Sequence, residues 1–178
     1  MIITISGVSG SGKSSVAKLL AKMLNYKHYS MGDLQREIAK EKGISIADLG
    51  ELEKKDSAID REIDEKQAQL AKREDDFVID SWLGAHFIPN SFKVFLDCDF
   101  NTKVQRIYNA KRKGIEEYNN LGEAKTLIKQ REKTNRERWV RYYDFDFLNK
   151  GNYDIVIDTT NISIEETANR IIKCLEIQ

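Results

Sequence analysis

Apolar and polar residues alternate along this chain in two periods. Ile2-Ile3-Thr4-Ile5-Ser6 is β-branched on both faces, the pattern of a central parallel strand buried on two sides. Val16, Leu19, Leu20, Met23 and Leu24 then recur at helical spacing and predict an amphipathic helix. Further short apolar runs over 26–29, 75–80, 92–97 and 153–158 predict four more strands. His28 reads there as a strand residue rather than a ligand. From 44 to 70 no strand pattern appears: Ile44 to Leu49 reads as a capped turn opening a helix, and Ile59, Ile63 and Leu70 suit another. Val104, Ile107 and Tyr108 put a helix after the fourth strand, and a long polar helix over 123–143 precedes the fifth. Ile164, Ala168, Ile171, Ile172 and Leu175 close the chain as an amphipathic helix. Strands alternating with helices predict an α/β fold, a doubly wound five-stranded parallel sheet formed by residues 1–178 as one domain. Ligands of such sheets sit at the carboxyl ends of the strands.

The turn after the first strand carries the chemistry. Gly7-Val8-Ser9-Gly10-Ser11-Gly12-Lys13-Ser14 satisfies the phosphate-loop pattern G-x-x-x-x-G-K-[ST] in full, and Ser15 follows it into the helix. Three glycines let the backbone wrap a polyphosphate with its N–H groups pointing inward, and the helix N-terminus adds partial positive charge there. Lys13 supplies a mobile cation for the β- and γ-phosphates, and the Ser14 hydroxyl is a ligand for Mg²⁺. Each of strands three, four and five stops at an aspartate, Asp80, Asp97 and Asp158, so three acids compete for the place near the metal. Asp80 is the choice, because it closes the third strand beside a Ser-Trp turn. After the second strand, Ser30-Met31-Gly32-Asp33-Leu34-Gln35-Arg36 enters a helix, where it either holds a second phosphate group or caps that helix.

Lys+Arg and Asp+Glu both number 29, so net charge points to neither nucleic acid nor membrane as a partner. The charge is uneven, however. Residues 47–76 hold eleven acids against six bases, and residues 101–141 hold twelve bases against five acids. A basic segment of that kind facing a phosphate loop suits a polyanion clamp. Arg131 and Arg138 lie two turns apart, on one helix face. Cys98 and Cys174 have no metal-like spacing and read as core thiols of a reducing cytoplasm. No run approaches the length of a membrane span.

With the phosphate loop, the Ser-x-Gly-Asp-x-x-Arg after strand two and two helical inserts, the chain resembles a nucleoside monophosphate kinase, and in detail the short cytidylate kinases of archaeal type. The likeness runs through Asp56-Ser57-Ala58-Ile59-Asp60-Arg61-Glu62-Ile63-Asp64 and through Arg131-Glu132-x-x-Asn135-x-x-Arg138-Trp139. It implies ATP as phosphoryl donor with Mg²⁺, a small nucleotide acceptor such as CMP or dCMP, and a cytoplasmic monomer. It also implies an acceptor-binding insert over about 33–74 and a lid over about 112–145. Carried over, Gly7 to Ser15 hold the ATP phosphates, with Lys13 on the transferring group and Ser14 and Asp80 on the metal. Arg131 and Arg138 close over both phosphates, and Arg106 and Arg112 flank the donor. Ser30, Gly32, Asp33, Arg36, Arg61, Asp80 and Trp82 border the acceptor. Two positions depart from the family. Where it has acid, glycine, arginine after strand three, this chain has Asp80-Ser81-Trp82, so a phosphate-binding arginine is missing and Trp82 is free to stack on a base. Asn135 stands where bacterial members carry aspartate. The missing arginine keeps two alternatives in play: a P-loop kinase for another small-molecule acceptor, or a non-catalytic ATP-binding regulator.

Overall fold

The computed structural model of the protein describes residues 1–55, 57–110 and 118–177. Five strands form one parallel sheet: β1 (Ile2–Gly7), β2 (Lys27–Ser30), β3 (Phe77–Asp80), β4 (Phe92–Asp97) and β5 (Ile155–Asp158), in the order β2-β3-β1-β4-β5. The connections carry α1 (Lys13–Leu24), α2 (Met31–Glu41), α3 (Ile46–Lys55), α4 (Ser57–Arg73), α5 (Gly84–Phe87), α6 (Phe100–Ala110), α7 (Leu121–Tyr143) and, after β5, α8 (Ile164–Leu175). The fold class expected from the periodicity is the one observed.

β1 is central, and its sequence shows why. Ile3 and Ile5 are fully buried on one face, with Val16, Ala17 and Leu20 of α1 and Ile171 of α8 in the same cluster. Each such buried side chain contributes about 1.5–3 kcal/mol of transfer free energy. The other face of β1 carries hydroxyls, Thr4 and Ser6. The Thr4 and Ser91 hydroxyl oxygens lie 2.9 Å apart, and Ser6 Oγ donates to the Ser81 carbonyl (2.8 Å). Small residues suit that face because α5 lies close: a Cβ on Gly84 would come within 3.2 Å of Thr4 Cβ. Periodicity does not announce α5, which is a single turn.

Two strands are shorter than expected. β3 begins at Phe77 because Asp76 turns into the left-handed region (φ +56°), where it and Asp75 bracket the N-terminal ammonium at 2.6 and 2.7 Å. β5 begins at Ile155, after a 3₁₀ turn over Lys150–Asn152. α7 starts at Leu121, capped reciprocally: the Asn120 side chain accepts from Glu123 N (2.9 Å), and Glu123 accepts from Asn119 N (2.5 Å). It ends where Asp144 turns left-handed at φ +50°. Among the described residues no helix is long and apolar enough to cross a membrane.

Candidate active site

Gly7 must be glycine twice over: its φ is +144°, and a Cβ there would lie 2.1 Å from the Leu96 carbonyl oxygen on β4. The loop leaves β1 at this point. Gly12 caps α1 in the left-handed conformation (φ +90°) with no side chain bonded to the first-turn N–H groups. Those donors face a cavity of about 640 Å³ that Ser9 to Val16 line on one side. A left-handed cap with open donors is a polyphosphate cradle. Lys13 Nζ folds back onto the loop and donates to the carbonyls of Gly7 (3.0 Å) and Val8 (2.8 Å). Desolvation lowers its pKa to about 8; the Asp80 and Glu132 carboxylates oppose that shift, and Arg131 and Lys103 add to it.

Asp80 ends β3 beside this cradle and is nearly fully buried. Its Oδ1 accepts from Ser14 Oγ (2.7 Å) and Ser30 Oγ (3.0 Å), and its Oδ2 lies 2.8 Å from His28 Nε2. A hydroxyl and a carboxylate in contact at the mouth of a phosphate loop are the hard oxygen donors a small divalent cation takes, so the residues fit Mg²⁺. The other two strand-end acids have different partners. Asp97 pairs with Lys150 (2.6 Å), and Asp158 accepts from the backbone N–H and hydroxyl of Thr160.

Cations line the same cavity. Gly32, Gln35 and Arg36 line it from α2, where the Ser30 hydroxyl caps the helix by accepting from Asp33 N (3.3 Å). Arg36 donates to Asp33 (2.5 Å); burial acts against ionisation of that carboxyl, but the Arg36 bond and charge hold it below its ordinary value. Arg131 reaches the cavity from α7, and Trp82 from the turn after β3. Arg106 lines it as well, tied by its guanidinium to the Thr159 carbonyl (2.9 Å).

Three of the expected site residues lie elsewhere or outside the description. Arg138 shares its helix with Arg131 but is buried against α3, where it pairs with Glu53 at 2.8 Å, both side chains 3 % exposed. Arg61 is exposed on α4 and does not line the cavity. Arg112 lies outside the described residues, as does Asp56. Other residues come in to which the sequence assigns no role. Glu132 accepts from Ser9 N (3.0 Å) with one carboxylate oxygen and from the buried Lys103 Nζ (2.5 Å) with the other. Thr159 Oγ1 donates to the Ser11 carbonyl (2.9 Å), bracing the loop from β5. The partners in these contacts are far apart in sequence, so no local spacing signals them.

A cradle that opens onto arginines on two helices, within one walled cavity, suits passing a phosphoryl group between two small molecules. The protein is a kinase of the nucleoside monophosphate kinase type. Comparison narrows this: the chain belongs to the cytidylate kinase-like family, whose model matches residues 2–161. It is 31% identical to a cytidylate kinase of Methanosphaera stadtmanae over 99% of this chain and 98% of that protein. It is 37% identical to one of Sulfolobus acidocaldarius, over 97% of this chain and 92% of that one. In fold it is similar to a shikimate kinase from Acinetobacter baumannii, with a TM-score of 0.63 at 17% identity, covering 98% of this chain and 92% of the other.

Proposed function

We propose that the protein transfers the γ-phosphoryl group of ATP to CMP or dCMP, giving the nucleoside diphosphate. The observation that carries this reading is that the glycine-rich cradle, Arg36 and Arg131 line one cavity, in a chain whose relatives are named cytidylate kinases. The loop N–H groups from Ser9 to Ser15 take the donor phosphates. Lys13 leaves its two carbonyls to follow the transferring group, and Arg106 borders the donor's far end. Arg36 and Arg131 take the acceptor phosphate, with Gly32 leaving room beside the Arg36 guanidinium, whose nitrogens lie 3.3 and 3.4 Å from where a Cβ would stand. Ser14 and Asp80 would hold Mg²⁺, which draws charge from the phosphates when bound.

The nucleophile is a phosphate oxygen that is already ionised, so no general base is required. Catalysis then comes from alignment and charge neutralisation. The helices α2 to α4 and the lid helix α7 are the parts that close, and closure excludes the water that would otherwise hydrolyse ATP.

Coupled ADP release with Mg·ATP and CMP, dCMP, UMP, AMP, GMP or no acceptor tests this. The expected outcome is rapid turnover with CMP and dCMP, and little without an acceptor. Absence of stimulation by every nucleotide would overturn the reading in favour of another acceptor or of a regulator that only binds ATP.

A further inference from the structure

Trp82 stands where the resemblance leads one to expect an arginine, and its ring is already occupied. Lys13 Nζ lies 5.4 Å from the ring centroid and the Arg131 guanidinium carbon 5.8 Å. Trp139 meets it edge-on at 5.1 Å, and Phe147 lies against it at 5.0 Å. Arg131 and Trp139 are eight residues apart on α7, a little over two turns, so a single indole meets the lid helix at two levels. Trp139 and Phe147 are both buried, which fixes that end of the contact. The other end carries two like charges. Each of the two cations is attracted to the indole π-system, and this offsets part of their mutual repulsion before any phosphate arrives. A base stacking on the ring would have to displace them.

We propose that Trp82 is a positioning residue that clasps α7 to the turn after β3 and holds Arg131 over the phosphate loop, so that an arginine from the lid does the work of the one missing from the turn. The catalytic consequence rests on the phosphoryl-transfer reading above; the clasp itself does not.

Two substitutions separate the ring face from mere bulk. Trp82→Phe keeps an aromatic face, and Trp82→Leu keeps an apolar side chain without one. Amide exchange is followed in the free protein over residues 121–143 and over β1 and β4, and kcat and KM are measured with CMP. Trp82→Leu is expected to speed exchange in α7 about tenfold with β1 and β4 unchanged, and to lower kcat more than about tenfold while KM for ATP moves less than about threefold. Trp82→Phe is expected to restore most of both. Equal behaviour of the two variants, or full α7 protection and kcat in Trp82→Leu, would overturn the proposal. A readout independent of how these variants fold uses Trp139→Phe, whose sole tryptophan is Trp82. Arg131→Ala in that background must change the Trp82 emission, and an unchanged spectrum would also overturn the proposal. If no acceptor supports turnover in the unmodified protein, the phosphoryl-transfer reading fails, and the exchange and emission data still decide the clasp.

Discussion

Lys13 is held by its own loop until a ligand offers something better. Its ammonium spends two hydrogen bonds on the Gly7 and Val8 carbonyls, in a desolvated spot that lowers its pKa to about 8. A polyphosphate favours the charged form, so nucleotide binding above that pH must take up a proton. Calorimetric titration with Mg·ADP at pH 8.5 in buffers of different ionisation enthalpy should show that uptake, with affinity falling as pH rises further; Lys13→Met should abolish it. The same shift acts on folding. The folded value lies below the ordinary 10.5, so the unfolded chain binds more protons between the two and stability rises with pH across that window. Lys13, Gly7 and Gly12 were readable from sequence because all their chemistry sits within one short motif. The contacts of His28 with Asp80 and of Glu132 with the loop were not, since the partners lie 52 and 123 residues apart.

Buried charge joins α7, which borders the cavity, to α3. Arg138 of α7 and Glu53 of α3 form an ion pair shut away from water. Glu53→Ala would leave the guanidinium buried without that carboxylate and should cost about 3 kcal/mol, whereas Glu53→Leu with Arg138→Met should come within about 1 kcal/mol of the wild type. Urea denaturation of the single and double variants checks both. Helical spacing correctly placed Arg131 and Arg138 on one face of a long helix. It says nothing about what that face meets along its length. At mid-helix the face borders the cavity at Arg131, and two turns on, at Arg138, it meets the buried Glu53 of α3. The alternating strand–helix pattern likewise gave the sheet, while one-turn α5 and the left-handed Asp76 were set by close packing and by the terminal ammonium.

At the scale of the whole molecule, the segment of α3 and α4 is joined to α7 a second time, through a titratable group. Asp64 of α4 accepts from the Tyr143 hydroxyl at the end of α7 and from Gln67 (3.2 Å), which in turn accepts from Ser81 (2.6 Å) beside the site. Burial raises the Asp64 pKa to about 6, against the Tyr143 bond and Arg138, and Glu53 adds to the rise. The folded protein therefore binds more protons than the unfolded chain between the ordinary value of 3.8 and about 6, and this contribution to stability is lost as pH rises through that range. Asp64→Asn should stabilise the protein by up to about 2 kcal/mol at pH 7 and by far less at pH 4, as read from denaturation at the two pH values. The Glu132 carboxylate bears on the loop in another way. Resting on the Ser9 N–H and the Lys103 ammonium, it covers a donor and a cation beside the cradle. A phosphate that takes the Ser9 N–H has to displace this carboxylate, so the bare loop already holds an anion of its own. Filling that corner of the cradle is then an exchange of one anion for another, which the more highly charged one wins.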